Sequence, residues 1–388
     1  MTSHTDFQNV DGSDVNPELE NLRGRLFAFL ETSGACAVGV CTREGLVGGP
    51  PSSDLTRELA SAQSAVVFAM PQDDDKIEAY MGKIDHGSYQ KHYIDLNTQT
   101  IGLAAEVAHV LRGQGFEAVP VHAGNTASGG DTRDVTPQND EQREAAEKYP
   151  ADPSEYAIGS VPVVSQRYLA AASGVGFFGM SGNILTASHG ATVVLGATIT
   201  SARLPATPPL PPEANYCDEC NWCGSVCPTT FMSRTERTEI ELGDRTHKYS
   251  KRLHHMRCGM HMGGQAGLSE DGKFGSWGPG RKQMPKNDEE LFPAVLEMIG
   301  DTHKRPEVPG GFILPTSPDR VNIMCSACNL VCHPEREVRA KRVKMWRQGG
   351  VVVQHEDGHL EAMPAEDAKE FVTALPAERR ALNEKDDA

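Results

Sequence analysis

Fourteen residues constrain this chain more than any others. The run NYCDECNWCGSVCP, from Asn215 to Pro228, spaces Cys217, Cys220, Cys223 and Cys227 as CxxCxxCxxxCP. In this pattern a short turn wraps three thiolates around one four-iron cluster, and the fourth thiolate serves a second cluster. A partner run follows in CSACNLVCHP, which holds Cys325, Cys328 and Cys332. Together the two runs predict a two-cluster ferredoxin-like module inside a larger chain, so the fold must bring together segments far apart in sequence.

Composition narrows the classes that remain. With 388 residues, the chain has room for that module and one substantial α/β domain. Lys and Arg number 37 against 53 Asp and Glu, a net charge of -16, so bulk charge does not point to a nucleic-acid partner. No apolar run reaches the roughly 18 residues of a membrane span. The polar N-terminus has neither an apolar signal core nor a twin-arginine pair, which predicts a cytoplasmic protein without a membrane partner. Ten cysteines would suit a disulfide framework in a small secreted domain, but most of these sit at cluster spacings. Cys36 and Cys41 have no metal-type neighbours and read as buried structural thiols.

Hydrophobic period and turn residues give the order of elements. Residues 1–15 read as a disordered N-terminus. Asn16 offers an N-cap with Pro17 in the first turn, and Leu19, Leu22, Leu26 and Leu30 repeat at helical spacing. AVGVC (37–41), SAVVFAM (64–70) and FEAVPV (116–121) read as strands, with LTRELASA as a brief helix between the first two. A long helix is expected over 88–112. Residues 123–153 read as a polar loop, either a lid or a solvated insertion. Residues 163–172 read as a helix leading into SGVGFFGMSGNI, whose Gly174, Gly176, Gly179 and Gly182 permit close backbone approach, before a strand over 192–200. This loop does not match GxGxxG, and a tight structural turn is its alternative reading.

The glycine loop, the strand after it, the linker LPATPPLPPE and the two cysteine runs together resemble the cobamide-dependent iron-sulfur reductases, which comprise reductive dehalogenases and epoxyqueuosine reductases. The resemblance covers roughly residues 15–335 and implies an α+β chain: a nitroreductase-like α/β corrinoid-binding domain followed by a two-cluster bacterial ferredoxin-like module. The expected divisions are 16–207 for the corrinoid and substrate domain, 208–335 for the module with an insertion over 233–320, and 336–388 for a basic helix and acidic tail. The resemblance implies that Gly174, Gly176, Phe177, Gly179, Met180, Ser181, Gly182, Asn183 and Ile184 line the site of a cobalamin bound base-off. By the interchange of last cysteines, Cys217, Cys220, Cys223 and Cys332 would hold one [4Fe-4S] cluster. Cys227, Cys325 and Cys328 would hold the other, with Cys258 as its fourth ligand because this superfamily often draws that ligand from upstream. A three-iron cluster with Cys258 merely buried is the alternative.

The implied activity is reductive cleavage of a small organic substrate. Carbon-halogen reduction is the first reading, epoxide or other C–O reduction the second, and a pure electron-transfer protein without a corrinoid the third. Aligned through the glycines, the aspartate of epoxyqueuosine reductases falls at Gly159 or Ser160, and the basic residue of reductive dehalogenases falls at Met180. Tyr93, Tyr156 and Tyr168 are candidate proton donors, and Arg167 and His122 candidate sources of charge or a second proton. The segment 336–347 carries Arg336, Arg339, Lys341, Arg342, Lys344 and Arg347. It reads as a solvated helix or as a docking patch for an acidic ferredoxin or flavodoxin electron donor.

Overall fold

The structure is a computed structural model and describes residues 16–121, 137–150, 162–285, 287, 289–314 and 317–383. The expectations for residues 1–15, for His122 and Tyr156, for Gly159 and Ser160, for most of the polar 123–153 segment and for the tail from Glu384 lie outside them. The chain is of mixed α and β type and divides into two compact units. The first comprises residues 1–71, 96–218 and 238–249; the second comprises 72–95, 219–237 and 250–388.

The first unit is built on a four-stranded antiparallel sheet. Helix α1 (Pro17–Thr32) begins where Asn16 Oδ1 accepts from Glu18 N–H at 2.9 Å, and it buries Leu22, Leu26 and Leu30. Strand β1 (Ala37–Thr42) pairs with β2 (Ser64–Pro71), which is buried at every position but its last. Burial on both faces explains why SAVVFAM is a continuous apolar run rather than an alternating one. Between them the expected LTRELASA helix shortens to a single 3-10 turn at Leu55–Arg57. Helix α2 (Gly87–Gly113), which belongs to this unit from Leu96 onward, leads to β3 (Ala118–Val121), and helix α3 (Asp140–Lys148) stands in part of the segment read as loop, capped by the Asn139 side chain. Helix α4 (Gln166–Ala172) is followed by the two-residue strands β4 (Phe177–Phe178) and β5 (Ile184–Leu185), which pair with each other, and then by β6 (Val193–Thr200). The sheet order is β1-β2-β6-β3. A polar hairpin, β7 (Met232–Leu242) with β8 (Arg245–Arg252), returns Ile240, Leu242 and Tyr249 to the core of this unit.

Backbone packing in this unit depends on missing side chains. A Cβ on Gly39 of β1 would stand 2.0 Å from the Ser173 carbonyl oxygen at the end of α4, and one on Gly196 of β6 would stand 2.3 Å from the Phe68 ring of β2. Both glycines allow an approach that no larger residue permits.

The second unit gathers short elements around aromatic side chains. Tyr80, Tyr89, Trp277 and Trp346 are buried with Ile323, Met324 and Leu330. Tyr80 donates its hydroxyl to the Met324 carbonyl at 2.8 Å, and Trp277 Nε1 donates to the Tyr80 carbonyl at 3.0 Å. Helix α5 (Arg336–Gln348) leads into a hairpin of Val351–Gln354 with Leu360–Met363. Among the described residues, no helix is long and apolar enough to cross a membrane.

Two glycine substitutions separate packing from propensity. Gly39→Ala is expected to destabilise by about 1–3 kcal/mol, because the Ser173 carbonyl is backbone and yields little. Gly102→Ala, on α2 with nothing within 4 Å of the added Cβ, is expected to stabilise by about 0.5–1 kcal/mol. Urea midpoints of the two variants against the parent check both signs.

Candidate functional site

In the first unit, the start of the cysteine run is clamped to the glycine loop. Asn215 Nδ2 donates to the Phe178 carbonyl at 3.1 Å, and its Oδ1 accepts from Cys217 N–H at 3.1 Å. The Tyr216 hydroxyl donates to the Thr186 carbonyl at 3.0 Å, and its ring meets Phe177 edge-on at 6.2 Å. The Met180 amide then donates to Cys217 Sγ at 3.2 Å. An N–H aimed at a cysteine sulfur is the contact that stabilises a thiolate ligand. Phe178 also stacks on Tyr249 at 5.0 Å and faces Tyr168 at 6.0 Å, so the loop is held on both sides.

The glycines of this loop are spent on the chain itself. A Cβ on Gly174 would meet the Pro208 carbonyl oxygen at 2.6 Å, one on Gly176 would meet Ile184 Cγ2 at 2.6 Å, and one on Gly179 would meet the Leu185 side chain at 2.8 Å. Gly182 has φ of +71°, in the left-handed region. Phe177, Met180, Ser181 and Ile184 are buried, and Asn183 is half-buried. These approaches are made by the β4–β5 hairpin and, at Gly174, by the linker at Pro208. A cavity of about 440 Å³ in this unit lies elsewhere, lined by Arg43, Pro50, Asp54, Gln142 and Lys148 among others.

Of the candidate proton donors and cations, Arg167 and Tyr168 lie together on α4. Arg167 Nη1 donates to the Gly182 carbonyl at 2.8 Å, so this guanidinium braces the glycine loop. Tyr168 is buried, while Tyr93 belongs to the other unit, half-buried with its ring 6.4 Å from Tyr89. Cys36 and Cys41 bond carbonyls of β2, and burial pushes the Cys41 thiol up to about 12, as suits an inert structural thiol.

In the second unit, the rest of the first run turns tightly: Glu219 and Asn221, on either side of Cys220, both have left-handed φ, at 50° and 57°. Four cysteines of this unit lie within electrostatic reach of one another. The Cys258 thiol is pushed well up, first by burial and then by the charges of Cys325, Cys227 and Cys328, with Arg252 pulling in the opposite sense. Burial pushes Cys325 up too, followed by Cys227 and Cys328. Tyr80 and Tyr89, themselves raised mainly by burial, also feel Cys325. Crowded thiols in a dry place resist ionisation until a cationic centre takes the place of their protons, which is the chemistry of a metal-cluster donor set. Among the described residues, no group of three or more His, Cys, Asp or Glu closes around a single ion. A four-iron cluster sets one thiolate on each iron, so its ligands stand wider apart than those of one ion. The residues present fit such a cluster.

Further contacts were not legible from spacing. The Phe231 amide donates to Cys227 Sγ at 3.3 Å. Arg339 and Arg342, read as part of a solvated or docking helix, are buried. Arg342 bonds Asp74 and the Leu330 carbonyl, and Arg339 Nη1 donates to Cys220 Sγ at 3.8 Å. Lys341 pairs with Glu78 at 2.7 Å, which reduces the charge α5 offers to solvent. Cys227 also borders a cavity of about 760 Å³ with Arg234, Phe274 and Trp346.

No family model matches the chain. It is 33% identical over 76 residues to an epoxyqueuosine reductase of Synechococcus sp. (strain RCC307), covering 20% of this chain and 23% of the relative. It is 36% identical over 84 residues to the epoxyqueuosine reductase of Gloeobacter violaceus, covering 21% and 25%. The chain thus spans about a quarter of the length of these curated relatives. Among solved structures, a catabolic reductive dehalogenase aligns with 67% of this chain and 32% of its own, at 14% identity and a TM-score of 0.43.

Asn215→Ala removes both side-chain bonds of the clamp and is expected to destabilise by about 1–3 kcal/mol. Urea unfolding followed by circular dichroism measures it. Over about a fifth of its length the chain is similar to epoxyqueuosine reductases, which supports the resemblance carried by its cysteine runs.

Proposed function

We propose that the chain is an iron-sulfur reductase of the corrinoid-dependent kind, acting on a small organic substrate. The observation that carries this reading is the pair of cysteine runs with donors aimed at their sulfurs, the Met180 amide at Cys217, the Phe231 amide at Cys227 and Arg339 at Cys220; Cys258, Cys227, Cys325 and Cys328 also lie within electrostatic reach of one another. In this reading they hold one [4Fe-4S] cluster, and Cys217, Cys220, Cys223 and Cys332 hold the other, in a ferredoxin-like module of a chain that also carries a nitroreductase-like domain. Two such clusters pass single electrons to the site where the bond is cut.

The corrinoid rests on the resemblance alone, because the loop glycines are taken up by packing within the chain. When bound, it would supply a low-valent cobalt for the cleavage. What the chain's own residues contribute is positional. The Met180 amide holds Cys217, Arg167 holds the loop through Gly182, and the buried Tyr168 stands behind Phe178. Reductive removal of halide is the first substrate reading. Reduction of an epoxide or another C–O bond is the second, favoured by the matches to epoxyqueuosine reductases.

Anaerobic reconstitution with iron, sulfide and cobalamin tests the proposal. The expected protein carries about eight irons, retains corrinoid absorbance through gel filtration and turns over an organohalide or an epoxide. Iron without retained corrinoid would leave an electron-transfer protein as the surviving reading. Cys258→Ala is expected to lose about one iron and to give a three-iron signal by electron paramagnetic resonance; unchanged iron and an unchanged signal remove Cys258 from the ligand set.

A further inference from the structure

The geometry points to Arg339 as the residue that sets the reduction potential of the cluster served by Cys220. The inference rests on the cluster reading above and adds to it a function for the basic segment. Arg339 lies on α5, which begins four residues after Cys332. Its side chain turns inward: the residue is 5% exposed, and Nη1 stands 3.8 Å from Cys220 Sγ. One helical turn earlier, Arg336 lies over the Trp222 ring at 5.2 Å, next to Cys223 in sequence. Three residues further on, the fully buried Arg342 fixes the same face through Asp74 and the Leu330 carbonyl. The face of α5 that carries Arg339 is therefore anchored at both ends.

A guanidinium stays protonated throughout the accessible pH range, so the charge beside this sulfur is permanent. On reduction a cluster gains one electron and becomes more negative. A buried cation close to a ligand sulfur stabilises that state more than the oxidised one, and with little solvent around it the interaction is weakly screened. Hydrogen bonds to the sulfurs and solvent exposure are the levers by which a protein moves such potentials. Arg339 supplies the first and its burial limits the second. The other group of thiols, around Cys258, has its own cation in Arg252 and a separate amide donor at Phe231. It therefore serves as an internal reference when Arg339 alone is changed.

The test uses the full chain, reconstituted anaerobically with iron and sulfide and titrated with dithionite while both clusters are followed by electron paramagnetic resonance. With Arg339→Gln, iron and sulfide contents should match the parent. One midpoint should fall so that the reduced fraction at a fixed poise drops about tenfold, or ~59 mV for a one-electron couple. The other midpoint should stay in place, and Arg339→Lys should recover at least half of the shift. Loaded protein with both midpoints unmoved, or moved equally, overturns the assignment. Should Arg339→Gln fail to load, Arg339→Met is the second neutral variant and is read by the same criteria. If neither neutral variant loads while Arg339→Lys does, the charge requirement stands; if Arg339→Lys also fails, Arg339 has a folding role only and the assignment falls. A parent chain that takes up no iron would instead count against the cluster reading itself.

Discussion

A cysteine sulfur that must work as an anion has to be given donors before it can be taken out of water. That constraint organises the contacts around the first cysteine run. Cys217 receives the Met180 amide, Cys227 the Phe231 amide and Cys220 the Arg339 guanidinium. Each donor comes from a different kind of element: a glycine loop, the segment just after a run, and a helix far along the chain. Unpaired charge in a dry interior is costly, and a short turn of cysteines has too few amides of its own to meet the demand.

The glycine loop illustrates how one stretch can carry two obligations. Its glycines let β4 and β5 fold back on each other at distances no side chain would allow. That tight fold in turn presents the Met180 amide to sulfur and the Phe178 carbonyl to Asn215. Its glycines left two readings open, a close approach to a ligand and a tight turn. In the structure, the close approaches are made by Pro208, Ile184 and Leu185, and Arg167 secures the loop by its Gly182 carbonyl.

What could be read from sequence was local or periodic. The Asn16 cap with Leu22, Leu26 and Leu30 marks α1, and the unbroken apolar run of β2 marks a strand buried on both faces. Hairpin β7–β8 escaped because the sequence of β7, Met232–Leu242, is polar over most of its length and buries few of its side chains. Helix α3 escaped because a nine-residue helix with a largely charged face, DEQREAAEK, reads as a polar loop until the Asn139 cap is recognised. The site divided in the same way. Cysteine spacing is a property of one turn and is visible in the string, whereas the partner of a charge is not. Arg339 and Arg342 sit in a segment of six cations and read as solvent-facing, although Cys220 lies 119 residues from Arg339 and Asp74 lies 268 residues from Arg342.

The two compact units are interleaved along the chain, each assembled from three separate stretches. The first unit needs residues 238–249, where Ile240, Leu242 and Tyr249 join its core, yet by then the chain has already supplied two stretches of the second. During synthesis, therefore, neither unit can finish before the other has begun. A nascent chain emerging at about 5–20 residues per second carries an incomplete first core for about 1–4 seconds after all four thiols of its first run, Cys217, Cys220, Cys223 and Cys227, have been made. Neither unit can therefore be excised as a single continuous stretch of chain.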